Sequence, residues 1–475
     1  MSRCVSLIGS PALRVACLFT IPLGLAAVFL RGEKPPARTV STAKVQPVSL
    51  ASVGRKVFFD KNLSSPSGVA CATCHAPSAG WTNSNSQDNL LYGVSPGAVS
   101  GRFGNRNAPT VSYAALIPPG PPAFDPTVSA FVGGLFWDGR ANDLADQATF
   151  PLQNPNEMNN ISHNLGDPAM VVQEASRGAI GRSFRRLYED DVFSRPTADV
   201  FDLITAAIAA FEQTPEVSPF TSKYDAYLLG KVKLSPAEME GLRLVTGSET
   251  GRPGGPPHAK SALCVACHGI PSDPSQGPDL WTNTCYANIG VPRNPGNPYY
   301  RQTNAVTDPL GYNPDGLVYI DLGLGGSYYP TLGLPPGNLG PNGDGRGDFL
   351  AIDGTFKAPT LRNAGKSPGG GFVKAYLHNG AFKSLKQVVH FYNTRNLTTV
   401  PGEVIDFTQQ NPYEGLRGVP LWNSPEFLSP DTLQNPSGLP GSAGGQVGNI
   451  GLTNEEEDDI VAFINALSDG YFQRE

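Results

Sequence analysis

Cys71-Ala-Thr-Cys74-His75 and Cys264-Val-Ala-Cys267-His268 are two copies of one pattern, CxxCH, far apart in a single chain. They use four of the seven cysteines and two of the six histidines. Two intervening residues let both thiols reach one side of a porphyrin and add to its vinyl groups. The following histidine is then carried under the iron as an axial ligand. A structural zinc site would need a second ligand pair near each motif, and neither has one. A redox CxxC would not need the histidine. The sequence therefore predicts two covalently bound haem c groups, with His75 and His268 as proximal ligands.

The remaining cysteines fit this reading. Cys4 and Cys17 lie in an apolar N-terminal leader, and Cys285 is left without a partner, so no disulfide framework is expected and Cys285 reads as a buried, inert thiol. Arg3 and Arg14 precede an apolar run from Val15 to Leu30 that Arg31 closes. The run is short for a spanning helix and suits a signal h-region. An uncleaved anchor is the alternative, and only then would the chain touch a membrane. Either outcome places the mature protein outside the cytoplasm, as a periplasmic or otherwise exported chain.

The bulk composition excludes little. The chain has 475 residues, 54 of them Gly and 45 Pro, enough for two or three domains with long loops. The formal net charge of −6 gives no electrostatic reason to expect nucleic acid as a partner.

Outward from the two motifs, the chain shows an architectural repeat of helix, loop and CxxCH. A helix-like segment over Leu50–Phe59 precedes the first copy, and residues 199–213 read as a strong amphipathic or buried helix. Ser235, Pro236 and Glu238 form a capping box that opens a helix before the second copy. The last helix starts at Thr453 with Glu456 and carries Ile460, Phe463, Ile464 and Leu467 on one face. Its acidic run Glu455–Asp459 reads as a solvated helix start. Residues 291–350 are rich in Gly and Pro and read as a long irregular excursion on the surface. The expected organisation is a signal peptide or anchor (1–31), a linker (32–48), a first haem domain (49–220) and a second (221–475). The fold class is mainly α: two cytochrome-c-like haem domains with long irregular loops.

The sixth iron ligands decide what such a chain does, because a catalytic haem keeps that position open or weakly held. By residue type the candidates are His163, His258, His378, His390, Met158, Met170 and Met239.

Five stretches carry a resemblance: FWDGRANDLADQATFPLQNPNEM (136–158), RNAPT (106–110), TFKAPTLRN (355–363), YLHNG (376–380) and VVHFYN (388–393). In order and spacing the chain resembles the bacterial dihaem cytochrome c peroxidases and their MauG-like relatives over about residues 50–470. Only the 247–263 insertion and the 291–350 excursion fall outside. The resemblance implies that hydrogen peroxide reacts at the N-terminal haem, in a distal pocket holding Gln147 and Glu157, with Glu157 as the acid/base. Pro151 matches the distal proline of the MauG-like members. Trp137 matches the tryptophan that relays electrons between the haems. Asn107 matches a side-chain ligand of a calcium ion between them. The other calcium ligands would be backbone carbonyls near Val373 and Ala375, where the family usually has Thr and Pro; carbonyl ligation does not depend on the side chain.

Two departures favour the MauG-like pattern. The segment before RNAPT, YGVSPGAVSGRFGN (92–105), lacks the distal His of typical peroxidases, so the peroxidatic haem is expected to be open without reductive activation. Fourteen residues after His378, where typical members carry a Met ligand, stands Tyr392. Leu385, Val388, Val389 and Tyr392 share one helical face. His390 points elsewhere and reads as a solvated or packing residue. The resulting expectation is a peroxidase that takes electrons from a small redox protein, a cytochrome c or a cupredoxin. The alternative within the fold is an oxidase that modifies a protein or peptide substrate. A plain dihaem electron carrier is disfavoured by Gln147 and Glu157, since a carrier needs no distal acid.

Overall fold

The computed structural model describes residues 48–303, 306, 308–311, 313–331, 352–395 and 448–473. The leader (1–31) and nearly all of the linker (32–48) lie outside the described residues. The described chain is helix-rich with little sheet. Its helices are α1 (Leu50–Phe59), α2 (Cys71–Cys74), α3 (Ser86–Leu91), α4 (Leu144–Gln153), α5 (Pro168–Ala175), α6 (Gly178–Tyr188), α7 (Thr197–Glu212), α8 (Lys223–Leu228), α9 (Pro236–Thr246), α10 (Leu324–Thr331), α11 (Leu385–Thr394) and α12 (Asn454–Ala466). Three two-stranded antiparallel ribbons accompany them: β1 (Ala123–Asp125) with β2 (Ala130–Val132), β3 (Ile161–Ser162) with β4 (Leu165–Gly166), and β5 (Tyr286–Ala287) with β6 (Phe356–Lys357). Among the described residues no helix is long and apolar enough to cross a membrane.

The helix starts follow their local chemistry. Ser49, Ser235, Ser384 and Thr453 each cap a helix, and Ser52, Glu238, Gln387 and Glu456 respectively close the box from the third position. Each box satisfies two backbone N–H groups that the first turn would otherwise leave unpaired.

Two large hydrophobic cores form among the described residues, beside smaller clusters. The first gathers α1, α4, α5, α6 and α7 around Phe58, Trp81, Phe184, Ile204 and Phe211. The second gathers α8, α9, α11 and α12 around Tyr224, Leu242, Trp281, Ile460 and Phe463. They are built alike. In the first, Gly54 of α1 rests against the backbone of α7, and a Cβ there would stand 1.7 Å from the Ala207 carbonyl oxygen. In the second, Gly241 of α9 rests against α12, and a Cβ would stand 2.0 Å from the Asp459 oxygen. Both helix pairs cross so closely that only glycine fits. Each core also holds an aromatic triad, Phe58–Trp81–Phe211 and Tyr224–Trp281–Phe463, with centroids 5.0 to 6.0 Å apart. Burying such rings contributes on the order of 2–3 kcal/mol each.

Two sequence expectations change. The described part of the 291–350 excursion is not a free surface loop. Asn297, Tyr300, Asn313, Asp321 and Leu324 are buried in it. It is tied to residues 92–106 by side-chain bonds that no local pattern announces: Asn294 to the Tyr92 carbonyl (2.8 Å), Gln302 to the Phe103 N–H (2.6 Å), Asp308 to Arg102 (2.8 Å), Asn297 to the Asn105 carbonyl (2.9 Å), and Asp321 to Arg106. The acidic start of α12 is also not wholly solvated. Glu457 is buried and meets His390 Nδ1 at 2.8 Å, Asn393 at 2.7 Å and Lys386 at 3.1 Å. His390 is accordingly a buried packing residue held by a carboxylate, not a solvated one.

Candidate active site

The first motif forms α2, a single turn that brings Cys71, Cys74 and His75 to one wall of a large cavity. His75 Nδ1 lies 3.2 Å from the Trp81 carbonyl oxygen. That bond fixes the ring and leaves Nε2 as the nitrogen for a ligand. Burial holds the imidazole below its ordinary range, which favours the neutral, ligating form. As free thiols the cysteines are buried too, and this pushes Cys71 up to about 12 and Cys74 up to about 11. Thioether formation removes that titration. Two thiols, a neutral imidazole and an apolar-walled cavity fit a covalently held haem.

Helix α4 supplies another part of the cavity wall. Asp143 caps it by accepting from the N–H groups of Ala145 and Asp146, both at 2.9 Å. Leu144, Gln147, Ala148 and Pro151 then fall at i, i+3, i+4 and i+7 and line the cavity as one face. The turn after α4, closed by Glu157 N–H to the Asn154 carbonyl at 3.0 Å, turns Glu157 and Met158 into the same space. Glu157 Oε1 accepts from Asn154 Nδ2 at 2.8 Å. Burial raises its carboxyl above the ordinary glutamate range, and Arg140 and Asn154 pull it back only in part. The structure therefore gathers Gln147, Pro151 and Glu157, close in sequence, and the distant His75 around one cavity. Met158, named above only as a ligand type, lines it as well. His163 stands on the exposed β3–β4 hairpin, and His258 pairs with Glu240 at 3.2 Å.

Trp137 is buried in the wall of the cavity that the first motif lines. Its Nε1 donates to the Asn107 carbonyl at 2.8 Å, and its own carbonyl accepts from Lys357 N–H at 2.9 Å. Two residues on from Lys357, the Pro359 carbonyl lies 2.9 Å from His268 Nδ1 and orients that ring. Burial holds His268 down to about 4. Tyr392 on α11 packs against Cys267 and Ala287, and burial, then Cys267, pushes its phenol above the usual range. Leu385 and Val389 of α11 join the second core, while Val388 and Tyr392 pack against a separate cluster around Phe382 and Phe391. Cys285 is fully buried beside Cys267.

Around Trp137 lies a network of charges. Arg106 binds Asp321 through Nε and Nη2, both at 2.6 Å, and Asp138 through Nη1 at 2.6 Å; Arg140 adds a second cation to Asp138 at 2.9 Å. Burial pushes Asp138 up, but Arg106 and Arg140 outweigh it and hold the carboxylate below its usual range. Asn107 uses Nδ2 to donate to the carbonyls of Ala375 (3.0 Å) and Leu377 (3.2 Å), while the Val373 carbonyl accepts from Asn89.

The sequence profile described as di-haem cytochrome c peroxidase matches residues 49–233. The chain is 31% identical over 470 residues to methylamine utilization protein MauG of Paracoccus denitrificans, covering 97% of each.

The chain is a member of the di-haem cytochrome c peroxidase family.

It is 29% identical over 264 residues to the cytochrome c551 peroxidase of Nitrosomonas europaea, covering 54% of this chain and 64% of that protein. Among solved structures it is similar to the diheme peroxidase BthA of Burkholderia thailandensis, with a TM-score of 0.60 at 27% identity, covering 89% of this chain and 86% of that one. This di-haem family member is an oxidoreductase and carries two c-type haems.

Of the cavity residues that escaped the sequence reading, among them Arg140 and Lys357, one is a second carboxyl. Glu212, the last residue of α7, is buried and lines the cavity. A signal was present: Ile204, Ile208 and Glu212 recur every four residues on the buried face of an otherwise apolar helix. A lone carboxyl on such a stripe is buried by its neighbours.

Proposed function

We propose that this enzyme reduces hydrogen peroxide to water at the haem held by Cys71, Cys74 and His75. Electrons would enter through the haem held by Cys264, Cys267 and His268. The observation that carries the reading is Glu157: a carboxyl with a raised proton affinity, facing the same cavity as His75, where an electron carrier has no use for one. Bound haem supplies an iron that takes peroxide and exchanges electrons with its partner. Glu157 accepts a proton from the near peroxide oxygen and delivers it to the far one, so that the departing group leaves as water. Two further protons and two electrons complete a second water. Gln147 and Pro151, one turn apart on α4, orient and confine the peroxide above the cavity floor. Trp137, fixed through Asn107 and Lys357, bridges the wall toward His268 and relays electrons.

The two hydrophobic cores support a division into haem domains at 49–220 and 221–475. A small redox protein, a cytochrome c or a cupredoxin, is the donor in this reading. Covalent haem attachment is in keeping with an exported, periplasmic protein. Rotating the Asn107 amide by half a turn would bring its Oδ1 to the Ala375 carbonyl, and that pair of oxygens is the part of a calcium site this chain offers.

A second reading follows from Tyr392. A buried phenol against Cys267, offered to the second iron as an anionic oxygen, would favour oxidised haem and suits an oxidase acting on a protein substrate. Steady-state turnover with peroxide and reduced cytochrome c separates the two. Rapid, sustained turnover supports the peroxidase. Negligible turnover, with a long-lived oxidised state after peroxide addition, supports the oxidase and sinks the first reading.

A further inference from the structure

Glu212 sits where α7 meets the first haem cavity, one turn beyond Ile208, which lines the same wall. Only 3% of the residue is exposed, and its Oε2 has no hydrogen-bond partner. A buried carboxylate without a donor or a cation is strongly disfavoured, so the group keeps a proton or finds a partner in the cavity. We propose that Glu212 is a proton-holding group of the first haem cavity, taking up one proton when that haem gains an electron and releasing it when the electron leaves.

The charged groups around this carboxyl are bound to partners of their own. Of the helices packed on α7, α1 carries Arg55 and Lys56, which are bound to Glu216 and Ser183. Helix α4 carries Asp146, bonded to the Asn142 N–H, and α5 carries Glu174, paired with Arg177. Within the cavity, Arg106 and Arg140 are bound to Asp138, Lys357 to the Gly134 carbonyl, and Glu157 to Asn154. Cys71 is a titratable neighbour, pushed up further by Glu212 as a free thiol, and as a thioether it carries no charge. Burial alone pushes Glu212 up to about 8, so modest changes in local charge move its proton at neutral pH.

The balance is simple. One electron reduces the ferric haem and removes one positive charge from a low-dielectric cavity. One proton converts the Glu212 carboxylate to the neutral acid and restores that charge. The direction follows from Coulomb's law, since the more electron-rich cavity holds the proton more tightly. The assignment stands whichever of the two haems meets peroxide.

The test is a redox titration of the holoenzyme, following the His75 haem optically across neutral pH. The midpoint potential of the wild type should fall as pH rises, and Glu212→Gln should flatten the dependence, while Glu157→Gln retains it. A flat wild-type profile, an unchanged slope in Glu212→Gln, or a slope lost in Glu157→Gln would overturn the proposal. Infrared redox-difference spectra of the Glu157→Gln protein give a second readout that does not require the Glu212 variant to mature. A protonated-carboxyl band that grows on reduction and shifts in D2O is expected, and its absence counts equally against Glu212.

Discussion

The indole Nε1 of Trp137 donates to the main-chain carbonyl of Asn107 at 2.8 Å, and both residues are buried in the wall of the cavity that the first haem-binding motif lines. The bond sets the plane of the ring as well as its place. Trp137→Phe keeps most of the apolar area but leaves the Asn107 carbonyl without its donor. The expected cost is about 1–3 kcal/mol in denaturant unfolding. Two haems per chain should remain, while stopped-flow transfer of electrons from the second haem to the first slows at least about tenfold, a barrier increase of roughly 1.4 kcal/mol. Unimpeded transfer would remove Trp137 from the relay.

Glu157 is expected to act first as a base, so its carboxylate is the active form. Its proton affinity is raised by burial, hence activity should fall as pH drops through a midpoint above the ordinary glutamate value of 4.5. Glu157→Gln should lower kcat/KM for peroxide by roughly 10²–10⁴-fold and abolish that acid limb. An acid limb that survives in the variant would assign the titration to another group.

Tyr392→Phe removes the phenol oxygen while preserving the packing against Cys267 and Ala287. Haem content should stay at two per chain, and electron paramagnetic resonance of the ferric protein should change at one haem only. An unaltered spectrum would show that the sixth ligand of the second haem comes from elsewhere.

Asp321 anchors the excursion to the first cavity through the doubly bonded pair with Arg106. Burial pushes its carboxyl up, but Arg106 outweighs this and holds it at about 2. Asp321→Asn leaves a buried guanidinium with half of its counter-charge, and a loss of about 3 kcal/mol is expected from the denaturant midpoint. Faster hydrogen exchange should be confined to residues 102–107. Wild-type protection there would mean that the other excursion contacts suffice to brace the segment.

The haem attachment and the helix starts were legible without a structure because their chemistry is local. Both thiols and the histidine of a CxxCH lie within one turn, so the spacing alone determines that a single porphyrin can take all three. A capping box likewise spans four residues, and the boxes at Ser235 and Thr453 form as their sequences require. The face of α4 could also be counted, since Gln147 and Pro151 are one turn apart.

Burial is different, because it depends on what the far chain brings. Glu212 and Glu216 stand four residues apart. One faces the cavity without a partner, while the other pairs with Arg55 in solvent. Glu457 reads as one acid among five until His390 and Lys386 of α11 close over it. The Gly- and Pro-rich excursion has no periodicity to read, yet Asn297, Gln302, Asp308 and Asp321 each find a partner in residues 102–106. Sequence alone pointed to two haems and to the two motifs proposed to hold them. Only tertiary structure decided which carboxyls share a cavity with the first haem, because desolvation and charge pairing arise from residues hundreds of positions apart meeting in space.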